Sequence, residues 1–397
     1  MTAHLLSTAQ EWLGALLRWA HVVAAIGWIG SSFYFMWLDA TLRRRQAMDD
    51  SVVGENWTVH GGGFYRTVKY RNAPPEMPET LHWFRLESYF TWLTGLALLG
   101  VTYYWSASTL LVDRGGDPRI GVLLSAAGLA GAWLFYDRLC RSSLRESPAL
   151  LFAILFAALV GLSWAYDLYF TGRAAFLQTG AMMATLMTGN VLLVIIPNQR
   201  IVVADLKAGR VPSPEYGRIA KLRSTHNNYL TLPVVFLMIS NHYPLATSPG
   251  WNWATLAAVL AMGAIVRNWF NRWEAGQTGA AVAWQWPAAV AFAAALFLAS
   301  ALLALPSERG GSVSPELALG ILETRCASCH AAAPSDPAFA GPPADVVLES
   351  LADARRHAPR ILLQSVRSTA MPPGNATGMS EEEREQLGLW LLAVSRE

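Results

Sequence analysis

The sequence predicts an all-α fold in two parts, a polytopic membrane bundle of eight transmembrane helices followed by a small helical domain. Three observations predict it. Apolar runs long enough to cross a bilayer recur between residues 12 and 305, cationic residues crowd some of the connecting loops and avoid others, and a Cys-x-x-Cys-His motif stands at 326–330 in more polar sequence. The composition agrees: 53% hydrophobic and 15% charged residues, with 17 tryptophans, suit lipid better than water. A formal charge of +2 gives no nucleic-acid signal, because Lys and Arg are confined to particular loops.

The first run, Trp12 to Leu38, is long enough to cross a hydrocarbon core of about 30 Å. No basic stretch precedes it, so a cleaved signal peptide is not expected. Seven further runs follow, at 82–105, 119–138, 148–170, 174–197, 229–247, 251–270 and 282–305. Arg43, Arg44, Arg45, Arg66, Lys69 and Arg71 lie between the first two runs, and Arg200, Lys207, Arg210, Arg218, Lys221 and Arg223 between the fifth and sixth. Cationic loops stay on the cytoplasmic side, so both termini are expected outside.

The membrane part is thus expected to fill residues 1–305, with a Ser/Gly linker at 306–314 and a second domain at 315–397. Ser314 and Pro315 form an N-cap and first turn, and the helix they open ends before Arg325-Cys326-Ala327-Ser328-Cys329-His330. Two thiols three residues apart and an adjoining imidazole are the attachment signature of one covalent haem c, with His330 on the iron. A zinc site would need a second ligand pair, and the only other cysteine is the distant Cys140. Ser380 with Glu383 reads as a capping box, opening a helix with Leu387, Trp390, Leu391 and Val394 on one face. Gly320 and Trp390 suit a close crossing of the two terminal helices. Between them Met371, in Ala370-Met371-Pro372-Pro373, is the expected sixth ligand, with Met379 a packing residue. This is the pattern of a class I cytochrome c. Such haem is attached on the periplasmic side of bacterial inner membranes, which matches the orientation from the loops.

Histidines in bilayer helices are costly and therefore functional candidates. His21 and His242 fall towards the outer side, His82 and His226 towards the inner, and paired across the bundle they would hold one or two haem b. Interfacial histidines bonded to backbone or headgroups are the other reading. The first inner loop, with His60-Gly61-Gly62-Gly63-Phe64-Tyr65-Arg66 and then Lys69 and Arg71, reads as a short hairpin. It is either a plain surface hairpin or a site for a flat anionic ring, and no Gly-Lys-Ser/Thr follows to make it a phosphate loop. Asn227 and Asn228 approach the same side, where two amides would read a heterocycle's edge.

Together His60-Gly61-Gly62-Gly63-Phe64-Tyr65, Leu81-His82-Trp83-Phe84, Thr225-His226-Asn227-Asn228-Tyr229 and Ser240-Asn241-His242-Tyr243, ahead of a Cys-x-x-Cys-His tail, resemble the bacterial membrane-bound cytochrome c urate oxidases. Asn268 stands where the resemblance would lead one to expect a further histidine. The resemblance implies oxidation of urate to 5-hydroxyisourate. Electrons would pass through the chain's own haem to a downstream soluble cytochrome c or terminal oxidase, without hydrogen peroxide. On that reading Lys69, Arg66 or Arg71 holds the urate monoanion with Tyr65, Asn227 and Asn228, and His60 removes a proton. The rivals are a non-catalytic electron-transfer subunit and a transporter with a fused cytochrome sensor.

Overall fold

The computed structural model describes residues 2–71, 73–113, 115–247, 251–303, 313–336, 339 and 341–395. Except for residues 313 and 314, the expected linker lies outside them. The fold is mostly helical. Helix α1 (Thr2–Thr41) leads into a β-hairpin, β1 (Val52–His60) and β2 (Gly63–Tyr70), and then into α2 (Leu86–Leu98). The bundle continues with α3 (Pro118–Arg141), α4 (Pro148–Asp167), α5 (Gly172–Gly189), α6 (Ile196–Lys207), α7 (Pro214–Ile239), α8 (Asn252–Glu274), the short α9 (Ala280–Ala283) and α10 (Gln285–Leu303).

Among the described residues, six helical stretches are long and apolar enough to cross a membrane: Thr8–Thr41, Pro118–Arg141, Pro148–Asp167, Gly172–Lys207, Asn252–Glu274 and Ala280–Leu302. Two of the eight expected spans are not among them, for different reasons. After Leu98 the helical rod of α2 changes register, running on as π-helix over Leu99–Tyr104 and Ala107–Leu111, so its α-helical part is short. Helix α7 is long but carries Arg223, His226, Asn227, Asn228 and Thr231, all buried. It packs on α5 and α8, and a helix enclosed by others has no lipid-facing surface to keep apolar. Helix α5 is equally central: Phe176, Met182 and Met183 are fully buried. By contrast Trp12, Leu16, Trp19, Val23 and Ile26 of α1 are largely exposed, as a lipid-facing stripe requires.

The rods alternate in direction, which gives the bundle two ends. Near the start of α1, Gln10 Nε2 donates to the Val101 carbonyl (3.0 Å) and to Ser106 (3.2 Å). At its other end Asp39 meets Lys69 of the hairpin. The hairpin turns through Gly61 and Gly62, both at positive φ (55° and 79°), a conformation that glycine adopts without a Cβ penalty. Its base is locked by Glu55, buried between Arg45 (2.7 Å) and Arg66 (2.6 Å). Burial would raise the Glu55 carboxyl, but hydrogen bonds from Trp57 and Arg66, with the charge of Arg45, hold it below the usual carboxylate range.

The C-terminal domain comprises α11 (Pro315–Arg325), α12 (Ala327–His330), α13 (Leu351–Arg356), α14 (Ala358–Ile361) and α15 (Glu381–Val394). Both expected caps are present: Ser314 accepts from the Leu317 amide, and Ser380 and Glu383 close a capping box. Leu387, Trp390 and Leu391 pack with Ile321, Leu322 and Met379 into one core. Gly320 is not at the close crossing, because a Cβ there would meet nothing. The tight approach of α15 is instead to the segment Leu362–Val366, where a Cβ on Gly388 would stand 2.7 Å from Val366.

Candidate functional site

At the hairpin end a cleft of about 830 Å³ opens between α1, β2, α6 and α7. Lys69, His82, Gln199, Tyr216, Lys221 and Thr225 contribute its polar groups, and Asp39 sits beside Lys69 at 2.6 Å. Among the described residues, two lysines and one aspartate are the Lys, Arg, Asp and Glu side chains along the lining, which gives these groups a net charge of about +1. His82 is set edge-on to Phe84, ring centroids 4.7 Å apart.

Of the hairpin residues, only Lys69 reaches this cleft. His60 pairs with Gly63 at the exposed tip, whereas Lys69 pairs with Gly54, six residues along the strand and so about 20 Å away. Tyr65 is exposed, Arg66 is committed to Glu55, and Arg71 Nε donates to the Asp50 carbonyl (3.1 Å). The expected convergence of His60, Tyr65, Arg66 and Arg71 on one ring is therefore absent.

Asn227 and Asn228 face the interior instead. Asn227 accepts from Asn190 Nδ2 (2.8 Å) and donates to the Met187 carbonyl (3.0 Å). Asn228 accepts from Arg267 and donates to Asn271 (3.1 Å), while Tyr229 donates to Asn268 (3.1 Å). The Arg267 guanidinium lies 4.3 Å from the Phe33 ring. These amides tie α7 to α5 and α8. Arg223, almost wholly buried, joins the same network through Asp137 (2.6 Å) and Asn190 (3.2 Å). Arg223→Ala removes the bonds to Asp137 and Asn190 and leaves Asp137 with Arg141 alone (2.8 Å), and it is expected to cost about 1.5–3 kcal/mol. Thermal unfolding of the detergent-solubilised chain would show this as a large loss of stability, and an unchanged midpoint would refute it.

The four membrane histidines do not form the two expected pairs. His21 Nδ1 donates to the Thr91 carbonyl (2.9 Å), and its ring lies against Gly95, where a Cβ would stand 3.0 Å from Cε1. His242 instead follows Asn241, which accepts from Tyr103 (3.3 Å), eight residues past Gly95 and so about 12 Å further along that rod. His82 lines the cleft, whereas His226 is buried against Tyr136 (2.8 Å). Asn190 donates to the Tyr136 oxygen (2.8 Å), so Tyr136 links His226 to the same buried amide network. His21 keeps the arrangement of a metal-ligating imidazole, with one nitrogen fixed by a carbonyl. Among the described residues no three His, Cys, Asp or Glu side chains are grouped to hold a metal ion.

In the C-terminal domain Cys326 and Cys329 are unpaired thiols, and the His330 amide donates to the Cys326 carbonyl (2.9 Å) across the tight turn that holds the motif together. Burial pushes the Cys326 thiol up to about 11 and raises Cys329 as well, so neither is a ready thiolate or redox dithiol at neutral pH. His330 Nδ1 donates to the Val346 carbonyl (2.8 Å), which leaves Nε2 for a ligand. Two thiols and a pre-oriented imidazole fit the donor set of a c-type haem. Met379 is 2% exposed in the core, while Met371 is half-buried on its loop.

Sequence reading missed Lys221, Gln199 and Tyr216. The available signal was periodic: Gly217, Lys221, Ser224 and Thr225 share one face of α7 and line the cleft together.

A bundle of apolar helices enclosing a polar interior, with a cationic cleft at one end and a separate small domain, defines a polytopic membrane protein. The family model described as urate oxidase N-terminal matches residues 7–300, and the chain belongs to that family. The match spans the whole bundle, including the hairpin, and stops before the C-terminal domain. No curated protein and no solved structure matches the chain.

Proposed function

We propose that this chain oxidises urate to 5-hydroxyisourate in the cleft of Lys69, His82 and Lys221. One observation carries the reading: within a urate oxidase family, the cleft of about 830 Å³ at the hairpin end has a lining of net charge about +1, complementary to a monoanion. Lys69 and Lys221 hold the anion, and Gln199 and Thr225 meet the ring's amide edges. His82 accepts a ring proton as general base. Urate and one water become 5-hydroxyisourate, and two electrons and two protons leave. Cys326, Cys329 and His330, with Met371 as sixth ligand, would hold a haem c, which supplies a one-electron acceptor in place of oxygen. His21 is the candidate ligand for any haem b.

The same reading makes all eight rods membrane crossings, α2 with its π-helical extension and α7 included. The cationic hairpin then faces the cytoplasm, and the C-terminal domain the periplasm of a bacterial inner membrane. The test is anaerobic mixing of the purified full chain with urate. Reduction of its haem absorption, with no peroxide formed in air, is expected. A haem that dithionite reduces and urate does not would leave an electron-transfer subunit.

A further inference from the structure

The C-terminal domain rests on the bundle through contacts that urate chemistry does not require. At the end remote from the hairpin, the segment Ala107–Leu111, the turn before α5 and the segment Pro244–Thr247 form a platform. Val112 bridges to Phe170, and the Thr171 amide donates to the Leu111 carbonyl (3.0 Å), so two of these connectors are stitched together.

The loop carrying Met371 sits on this platform. A Cβ on Gly374, itself at φ +54°, would stand 2.8 Å from the Thr109 carbonyl oxygen and 3.3 Å from that of Val112. Both obstacles are backbone and cannot swing aside. Beside them Arg173, in the first turn of α5, donates to Gln364 of the domain (3.2 Å). The Gln364 carbonyl accepts from the Met371 amide (2.8 Å), so the residue gripped by the bundle is also the one that holds Met371. On the other side of the loop Arg384 donates to the Met371 carbonyl (2.8 Å) and is attracted by Asp113 of the bundle.

We propose that this platform is a docking site that fixes the Met371 loop of the C-terminal domain against the bundle, with Arg173 and Gly374 as positioning residues for Met371. The docking stands on geometry alone, and only its optical readout rests on the haem reading above.

The test uses the full chain with Thr109→Cys and Ala376→Cys, both exposed positions, and a protease site placed within 306–312. Ala376 is two residues from Gly374, so a bis-maleimide reaching about 10 Å spans the pair when docked. The cleaved halves should then stay joined on a denaturing gel. Gly374→Val or Arg173→Ala should slow cross-linking about tenfold, equivalent to roughly 1.4 kcal/mol of docking, and Arg173→Lys should restore part of it. Arg173→Ala lies outside the domain, so it separates docking from misfolding of the loop. It should also shift the haem potential, which a merely structural contact would leave unmoved. Failure to cross-link, or rates indifferent to both variants, would overturn the proposal. Cross-linked chain without covalent haem would retire the haem reading and leave the docking site standing.

Discussion

Replacing Cys326 or Cys329 with alanine is expected to abolish normal covalent haem attachment and, with it, urate-dependent electron delivery. On the haem reading each thiol would supply one thioether, and His330 is already oriented by the Val346 carbonyl at 2.8 Å. The loss should therefore be near-complete, although Cys329 lies outside the domain core of Leu322, Leu387 and Leu391 and Cys326 only flanks it. Haem staining after denaturing electrophoresis measures it directly, and a stained band of wild-type intensity would refute the assignment. Met371→Ala should behave differently, retaining covalent haem at a lower potential, because a thioether ligand raises it. Met379→Ala, in the core, should lower stability and leave the potential in place.

The second large effect is expected in the cleft. Removing Lys69 or Lys221 takes one charge-assisted contact from a bound anion, worth about 1.5–3 kcal/mol, so KM for urate should rise roughly 10- to 100-fold per substitution. Lys69→Ala carries an extra penalty, since Asp39 then faces the substrate without its 2.6 Å partner. His82→Gln should lower kcat by about 10²–10⁴ with little change in KM, the pattern of a lost general base. His60→Ala, at the hairpin tip, should leave both constants unchanged. Steady-state assays of the purified variants decide between them, and a strong defect in His60→Ala with normal Lys221→Ala would move the site to the hairpin.

Much of this fold was legible in the sequence because its signals are local. The Ser380–Glu383 capping box, the Ser314 cap, the glycine turn of the hairpin and the packing role of Met379 each depend on a few neighbouring residues. The π-helical stretches of Leu99–Tyr104 and Asn190–Ile195 were not legible, since a one-residue change of hydrogen-bond register leaves no mark in composition. The site was harder still. Lys69, His82, Gln199 and Lys221 come from four separate segments, and only tertiary packing brings them to one cleft. Asn227 and Asn228 show the converse difficulty: an amide that reads a ligand and one that ties helices together look alike in sequence.

The polar interior of α7 has a consequence for biogenesis. Arg223, His226, Asn227 and Asn228 are buried along one helix, and polar groups in a bilayer helix are costly unless partnered, so on the eight-crossing reading this segment partitions poorly by itself. Its partners are made on both sides of it. Asp137, Tyr136 and Asn190 precede it in synthesis, ready to receive Arg223 and His226, whereas Arg267 and Asn271 emerge only afterwards to satisfy Asn228. On that reading the polar face of α7 is fully partnered only once α8 is in place.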